Sequence, residues 1–198
     1  MRQYLVLTCF LLLSFAAHSQ QLLNSGFEEW DTSGKKLNPL HWSVNIDAAL
    51  HHNPAGIAKK GKNSIIVSTW YSYVSGHLFY GSFKDPEDDN WMNYTVPFTG
   101  KPVKLTGYYR YTHPINETDV AVGEILIKDV AGDSLAVGRV LLDTASNWKK
   151  FEIPLTYHSA NKATAIAVHF SSCAKRGGMN NDSYPNRLYL DALKLVYK

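Results

Sequence analysis

Beyond residue 20 no stretch of helix length repeats its apolar residues at i, i+3, i+4 and i+7, whereas short β-branched and aromatic segments recur between turn residues. A chain patterned in this way has to build its core from sheets. The candidate strands are Leu22 to Phe27, Trp42 to Asn45, Ser64 to Tyr73, Leu78 to Phe83, Tyr94 to Pro97, Val103 to Thr112, Val120 to Val130, Ser134 to Leu142, Lys149 to Tyr157, Ala163 to Ser172 and Arg187 to Tyr197. Ala131-Gly132-Asp133 supplies a hairpin turn between two of them. Many short strands with no helix between them predict an all-β domain of two packed antiparallel sheets.

Side chains two apart on a strand share a face, so alternation sorts inside from outside. Ile166, Val168 and Phe170 alternate with Ala167, His169 and Ser171, and Phe151, Ile153 and Leu155 with Lys150, Glu152 and Thr156. On the strand from Val103 to Thr112, an inward set of Val103, Leu105 and Tyr109 leaves Thr106, Tyr108, Arg110 and Thr112 outward. The intervening loops, Glu28 to His41, Asn45 to Asn63, Lys84 to Asn93 and Ala174 to Asn186, are long enough to carry a function.

The first residues are of a different kind. Arg2 precedes an apolar run from Leu5 to Ala17, and Ala17-His18-Ser19 is a small-residue cleavage pattern. Residues 1–19 are therefore expected to be a secretory signal peptide, and residues 20–198 a single domain of ordinary size. The run is shorter than the roughly 20 residues a spanning helix needs, so no membrane insertion is expected after cleavage. The product would be secreted, periplasmic or on the cell surface. Cys9 leaves with the signal, and Cys173, with no partner for a disulfide, reads as a small buried hydrophobe. Lys plus Arg total 20 against 17 for Asp plus Glu, with no concentrated basic stripe in the sequence, which argues against nucleic acid as a partner.

The opening Asn24-Ser25-Gly26-Phe27-Glu28-Glu29-Trp30, the central Lys104-Leu105-Thr106-Gly107-Tyr108-Tyr109-Arg110-Tyr111, Trp148 with Phe151 after it, and a last strand carrying Asp191 occur in that order. In this the chain resembles the jelly-roll carbohydrate-binding modules, and in particular a family of secreted bacterial carbohydrate-metabolism domains. The resemblance implies a jelly-roll β-sandwich with first and last strands side by side. It also implies a structural Ca2+ held by Glu28 and Asp191, with carbonyls near Gly61 to Asn63 completing the shell; calcium takes six to eight oxygen ligands. An acidic residue in a run as apolar as Leu188 to Leu195 would be costly to bury unpaired.

The implied partner is a glycan or polysaccharide. Sugars stack on flat aromatic rings while their hydroxyls bond to polar side chains, and the chain holds 13% aromatic residues, with five Trp and twelve Tyr. Tyr108 with Arg110 is a suitable pair, with His169 as the matching outward residue of the strand from Ala163 to Ser172. Trp70, Tyr71 and Trp91 add rings, whereas Trp30, Trp42 and Trp148, at strand edges, read as core. No catalytic fingerprint of the G-x-S-x-G, H-E-x-x-H or P-loop kind occurs, and no glycosidase motif marks a carboxylate pair. The expectation is a non-catalytic glycan-binding module, possible partner surface proteins included. A protein-binding adhesive module, with Trp70, Tyr71, Trp91 and Tyr108 buried, is the alternative, and a glycoside-active enzyme with two facing carboxylates is the third reading.

Overall fold

A computed structural model describes residues 19–33, 38–44, 51–52, 58–68, 75–82, 90–113, 119–174 and 186–198. The expected signal peptide, apart from Ser19, and the candidate rings Trp70 and Tyr71 lie outside the described residues. In chain order the strands are β1 (Trp30–Asp31), β2 (Asn38–Pro39), β3 (Trp42–Val44), β4 (His51–His52), β5 (Ile65–Ser68), β6 (His77–Tyr80), β7 (Val96–Pro97), β8 (Lys104–Thr112), β9 (Ala121–Lys128), β10 (Ser134–Leu142), β11 (Ala145–Pro154), β12 (Thr156–Tyr157), β13 (Ala165–Ser171) and β14 (Arg187–Val196). A 3-10 turn, Trp91–Asn93, precedes β7.

Two antiparallel sheets form the sandwich. A seven-stranded sheet runs β12-β10-β9-β13-β6-β3, with β7 also pairing β13, and a five-stranded sheet runs β11-β8-β14-β5-β4. The fold is all-β, of jelly-roll type. The chain ends lie together: Leu193 N–H donates to Ser25 O, and the Gln21 side chain exchanges hydrogen bonds with the backbone of Leu195.

Alternation decides what faces inward. Ile166, Val168 and Phe170 of β13, Ile125 and Ile127 of β9, Leu105, Tyr109 and Tyr111 of β8 and Leu188, Leu190, Leu193 and Leu195 of β14 make one core. Phe151 and Phe170 meet edge to face across the two sheets with ring centroids 5.8 Å apart. Each ring lies against a cross-strand glycine, Phe151 against Gly107 and Phe170 against Gly123. A Cβ at Gly107 would stand 2.6 Å from Leu193 Cδ2 and 2.8 Å from Phe151 Cε1.

The opening segment departs from expectation. Leu22 to Phe27 is a turn rather than a strand, with Asn24 and Phe27 at positive φ. The Asn24 side chain bonds both backbone groups of Glu29 and the carbonyl of Leu40, so local side-chain bonds replace a ladder. At the hairpin joining β9 and β10, by contrast, Asp129 Oδ1 accepts from Ala131 and Asp133 N–H, and Gly132 takes the positive φ.

Because the glycines let the rings approach, Gly107→Ala should destabilise the fold by about 1–3 kcal/mol through overpacking. Chemical denaturation would measure it, and an unchanged midpoint would show that Phe151 and Leu193 can give way.

Candidate functional site

The outer face of the seven-stranded sheet is built by register. Arg139 (β10), Glu124 (β9), His169 (β13), Phe79 (β6) and Ser43 (β3) fall in one row across the strands. The row on one side holds Leu141, Val122, Ser171 and His77, and that on the other Val137, Leu126 and Ala167.

Polar contacts run along this row. Glu124 forms an ion pair with Arg139 Nε at 3.3 Å and pairs through its other oxygen with His169 Nδ1 at 3.0 Å. His169 Nε2 lies 2.9 Å from His77 Nδ1. The His169 ring is stacked with Phe79 at 5.1 Å and with Trp91 at 5.5 Å, and His77, bonded edge to edge, lies near its plane at an interplanar angle of 17°. Trp91 reaches this position on the 3-10 turn, whose start is capped by the Asn90 side chain accepting from Met92 N–H.

Burial pushes the His169 imidazole below its ordinary value, against the raising influence of Glu124, so the ring is neutral at neutral pH. For Glu124, burial pushes the carboxyl up, but the hydrogen bond from His169 and the charge of Arg139 oppose it, and the net value is low. An ionised Glu124 beside a neutral His169 places the proton on Nδ1. Nε2 is then an acceptor and His77 Nδ1 donates to it. One carboxylate thereby fixes the tautomers of two imidazoles. Around this line the exposed side chains are Arg139, Val137 (47%) and Leu141 (54%), with Trp91 half-buried.

Tyr108 and Arg110 are elsewhere. They stand on β8, on the outer face of the five-stranded sheet, so the expected grouping with His169 is corrected: the sandwich separates them by its whole thickness. His169 does point away from the core, as alternation requires, but at 5% exposure it lies beneath the rings of its own sheet. Lys59 Nζ sits 5.0 Å over the Tyr108 ring, and the Arg110 guanidinium 5.2 Å over that of Tyr189. Trp91 and His169 are brought together. The sequence reading missed Glu124, Arg139, His77 and Phe79, although a lone carboxylate among Val122, Ile125, Leu126 and Ile127 was a signal available for Glu124.

At the joined chain ends, Asp191 is fully buried, and its Oδ2 accepts from Lys59 and Lys60 N–H at 2.6 and 2.8 Å. Glu28 Oε1 accepts from Lys62 and Asn63 N–H at 2.8 and 3.2 Å. The segment after residue 58 thus turns amide N–H groups to the two carboxylates. Asp191 Oδ1 is buried without a hydrogen-bond partner, and burial, with the charge of Glu28 adding to it, raises the Asp191 carboxyl although the amides oppose this. An orphaned oxygen and a second carboxylate close by are a donor set that suits a hard cation. Among the described residues no group of three or more His, Cys, Asp and Glu gathers, so two carboxylates would need backbone carbonyls to complete a calcium shell.

A cavity of about 360 Å3 opens at the sheet edge beside β3 and β7, lined by Trp42, Tyr80, Thr95 and Val96 among others. Three of its polar side chains are bonded within the fold: Trp42 Nε1 donates to Leu23 O, the Tyr80 hydroxyl accepts from Leu23 N–H, and the Ser43 hydroxyl donates to Gly81 O.

No family model matches the sequence, and no curated protein does. Solved structures do. TmCBM61, solved in complex with β-1,4-galactotriose, superposes with a TM-score of 0.50 at 15% identity, covering 91% of this chain and 100% of that one. An arabinose-bound α-L-arabinofuranosidase, MgGH51, gives 0.52 at 15% identity, covering 90% of this chain and 26% of the enzyme. The enzymatically active domain of bacteriophage CBA120 tailspike protein 4 gives 0.50 at 8% identity, over 80% of this chain and 20% of that one. The chain therefore spans the full length of the carbohydrate-binding module but only about a quarter and a fifth of the two larger proteins, and at these identities the likeness is one of fold.

Proposed function

We propose that this chain is a non-catalytic glycan-binding module that takes its ligand on the outer face of the seven-stranded sheet. The observation that carries the reading is the row Arg139–Glu124–His169–Phe79 with Trp91 stacked over it. It offers the partly exposed Trp91 ring for the C–H face of a sugar and the exposed Arg139 guanidinium for its hydroxyls, with Glu124, the buried His169 and the buried Phe79 holding them from beneath. The groups are already held by one another, so little ordering cost remains for binding. Both Glu124 oxygens are engaged, by Arg139 and His169, which suits an anchoring carboxylate more than an acid or base awaiting substrate. Trp91 and Tyr108 are only partly buried, and this favours a ligand platform over a module whose rings are all core. The fold shared with TmCBM61, solved in complex with β-1,4-galactotriose, supports the same reading, as does the export pattern of the first residues, which would place the module in a cell-surface polysaccharide-handling system.

A glycan-array screen of the mature chain should give reproducible hits on one polysaccharide class. Trp91→Ala and Arg139→Ala should each weaken retention at least about tenfold, equivalent to roughly 1.4 kcal/mol, with the fold retained. Unaltered binding in both variants would remove the site.

The buried imidazole gives a pH signature. His169 has a folded value below its ordinary 6.5, so as pH falls through about 6.5 the unfolded chain takes up a proton that the folded ring refuses, and stability is lost. Glu124, also held below its ordinary 4.5, adds a second loss at lower pH. Thermal unfolding from pH 8 to 5 should show the first decline, and His169→Gln should flatten it.

We further propose that Glu28 and Asp191 hold a structural Ca2+ that ties the last strand to the segment after residue 58. The orphaned Asp191 Oδ1 supports this. A raised folded value means that, without a cation, Asp191 opposes folding as pH rises above the ordinary 3.8. Calcium should raise Tm at pH 7 and chelator lower it, and Asp191→Asn should abolish the difference. An identical Tm with calcium and with chelator in the unmodified chain would dispose of the metal.

A further inference from the structure

The outer face of the five-stranded sheet carries a charge excess that the platform on the other side does not explain. Register sets the outward rows: Lys104 beside Pro154 and Val196, then Thr106 beside Glu152 and Lys194, then Tyr108 beside Lys150 and Asp191, then Arg110 beside Tyr189, then Thr112 beside Arg187. With Lys59 above Tyr108, the cations Lys59, Lys104, Arg110, Lys150, Arg187 and Lys194 face, among the described residues of these rows, only Glu152 and the buried Asp191. That excess is greater than the formal +3 of the whole chain, so the rest of the molecule does not share it.

The cations are set among flat rings. Lys59 lies over Tyr108 and Arg110 over Tyr189, and the Nε of Arg110 is buried with no hydrogen-bond partner. Lys104 and Lys150 converge on Glu152 at 2.7 and 2.9 Å and hold its carboxyl down to about 2, so this carboxylate stays ionised between the two ammonium groups. From Lys104 to Arg110 along β8 is about 20 Å, and neighbouring strands are about 4.8 Å apart, so the positive charges form a lattice rather than a single anion pocket.

We propose that this face is a second binding surface, for an anionic polysaccharide whose sugars carry repeating carboxylates. A uronate polymer matches both features of the surface: its carboxylates meet the lattice of Lys and Arg, the partly exposed Arg110 among them, and its C–H faces meet Tyr108 and Tyr189. The residues are disjoint from those around His169, so the two surfaces stand or fall separately.

The test uses affinity electrophoresis of the mature chain in gels containing polygalacturonate, or the same polymer fully methyl-esterified, which keeps the sugar and removes the charge. Retardation is expected with the acid form, weakening as salt rises, and at least tenfold less with the ester. Lys150→Glu with Lys194→Glu, and separately Arg110→Gln, should each reduce retardation by about tenfold or more with thermal unfolding little changed, while Trp91→Ala leaves it intact. Equal retardation by the ester, or unaltered binding in the charge-reversal variant, would overturn the proposal. A DNA oligonucleotide bound as tightly as polygalacturonate would overturn it too, by showing ion exchange without sugar recognition.

Discussion

The packing of the two sheets against each other is the constraint from which the other features follow. Phe151 and Phe170 meet at its centre only because Gly107 and Gly123 withdraw their side chains from beneath them. Cys173 has no disulfide, so the burial of these rings and of the leucines of β14 has to hold the domain closed. Fixing the inward rows fixes the outward ones, since each strand has only two faces. The platform of the seven-stranded sheet and the cationic lattice of the five-stranded sheet are thus two consequences of one core.

Within the platform, the energetic problem is His169. A polar ring at 5% exposure is expensive unless bonded, and a charged one far more so. Glu124 and His77 satisfy its two nitrogens and the rings of Phe79 and Trp91 stack on it, so the neutral ring is the stable form. The same bonds leave Glu124, Arg139 and His77 with little freedom. A surface that is rigid before the ligand arrives loses less entropy when it binds.

Much of this was legible in the sequence. Alternation assigned Ile166, Val168 and Phe170 inward and Tyr108 and Arg110 outward, and both hold, because a strand offers no third option. Ala131-Gly132-Asp133 did form the predicted turn. What could not be read was which sheet a strand joins: two outward residues share a surface only if their strands do, and β8 and β13 belong to opposite sheets. The pairing of Glu124 with Arg139 was hidden for a related reason. Ser134 pairs with Lys128, and an unbroken ladder from there would set Glu124 against Gly138, but a bulge between Ser134 and Ala136 advances the register by one. The opening segment misled because Asn24 satisfies the backbone locally, where apolar content alone read as strand.

The last strand shows how a local irregularity and a charged residue support each other. Leu188 and Leu190 face the core, and regular alternation would then turn Leu193 and Leu195 outward. A bulge between Asp191 and Lys194, with Ala192 at φ 50, reverses the parity and returns both leucines to the core. A left-handed alanine is strained, and strain persists only where surrounding contacts enforce it. Here Leu193 N–H is held by Ser25, and Asp191 by the amides of Lys59 and Lys60. Removing the carboxylate would therefore leave two amides without their acceptor as well as loosening the bulge. That double dependence explains why an acidic residue can stand in so apolar a run.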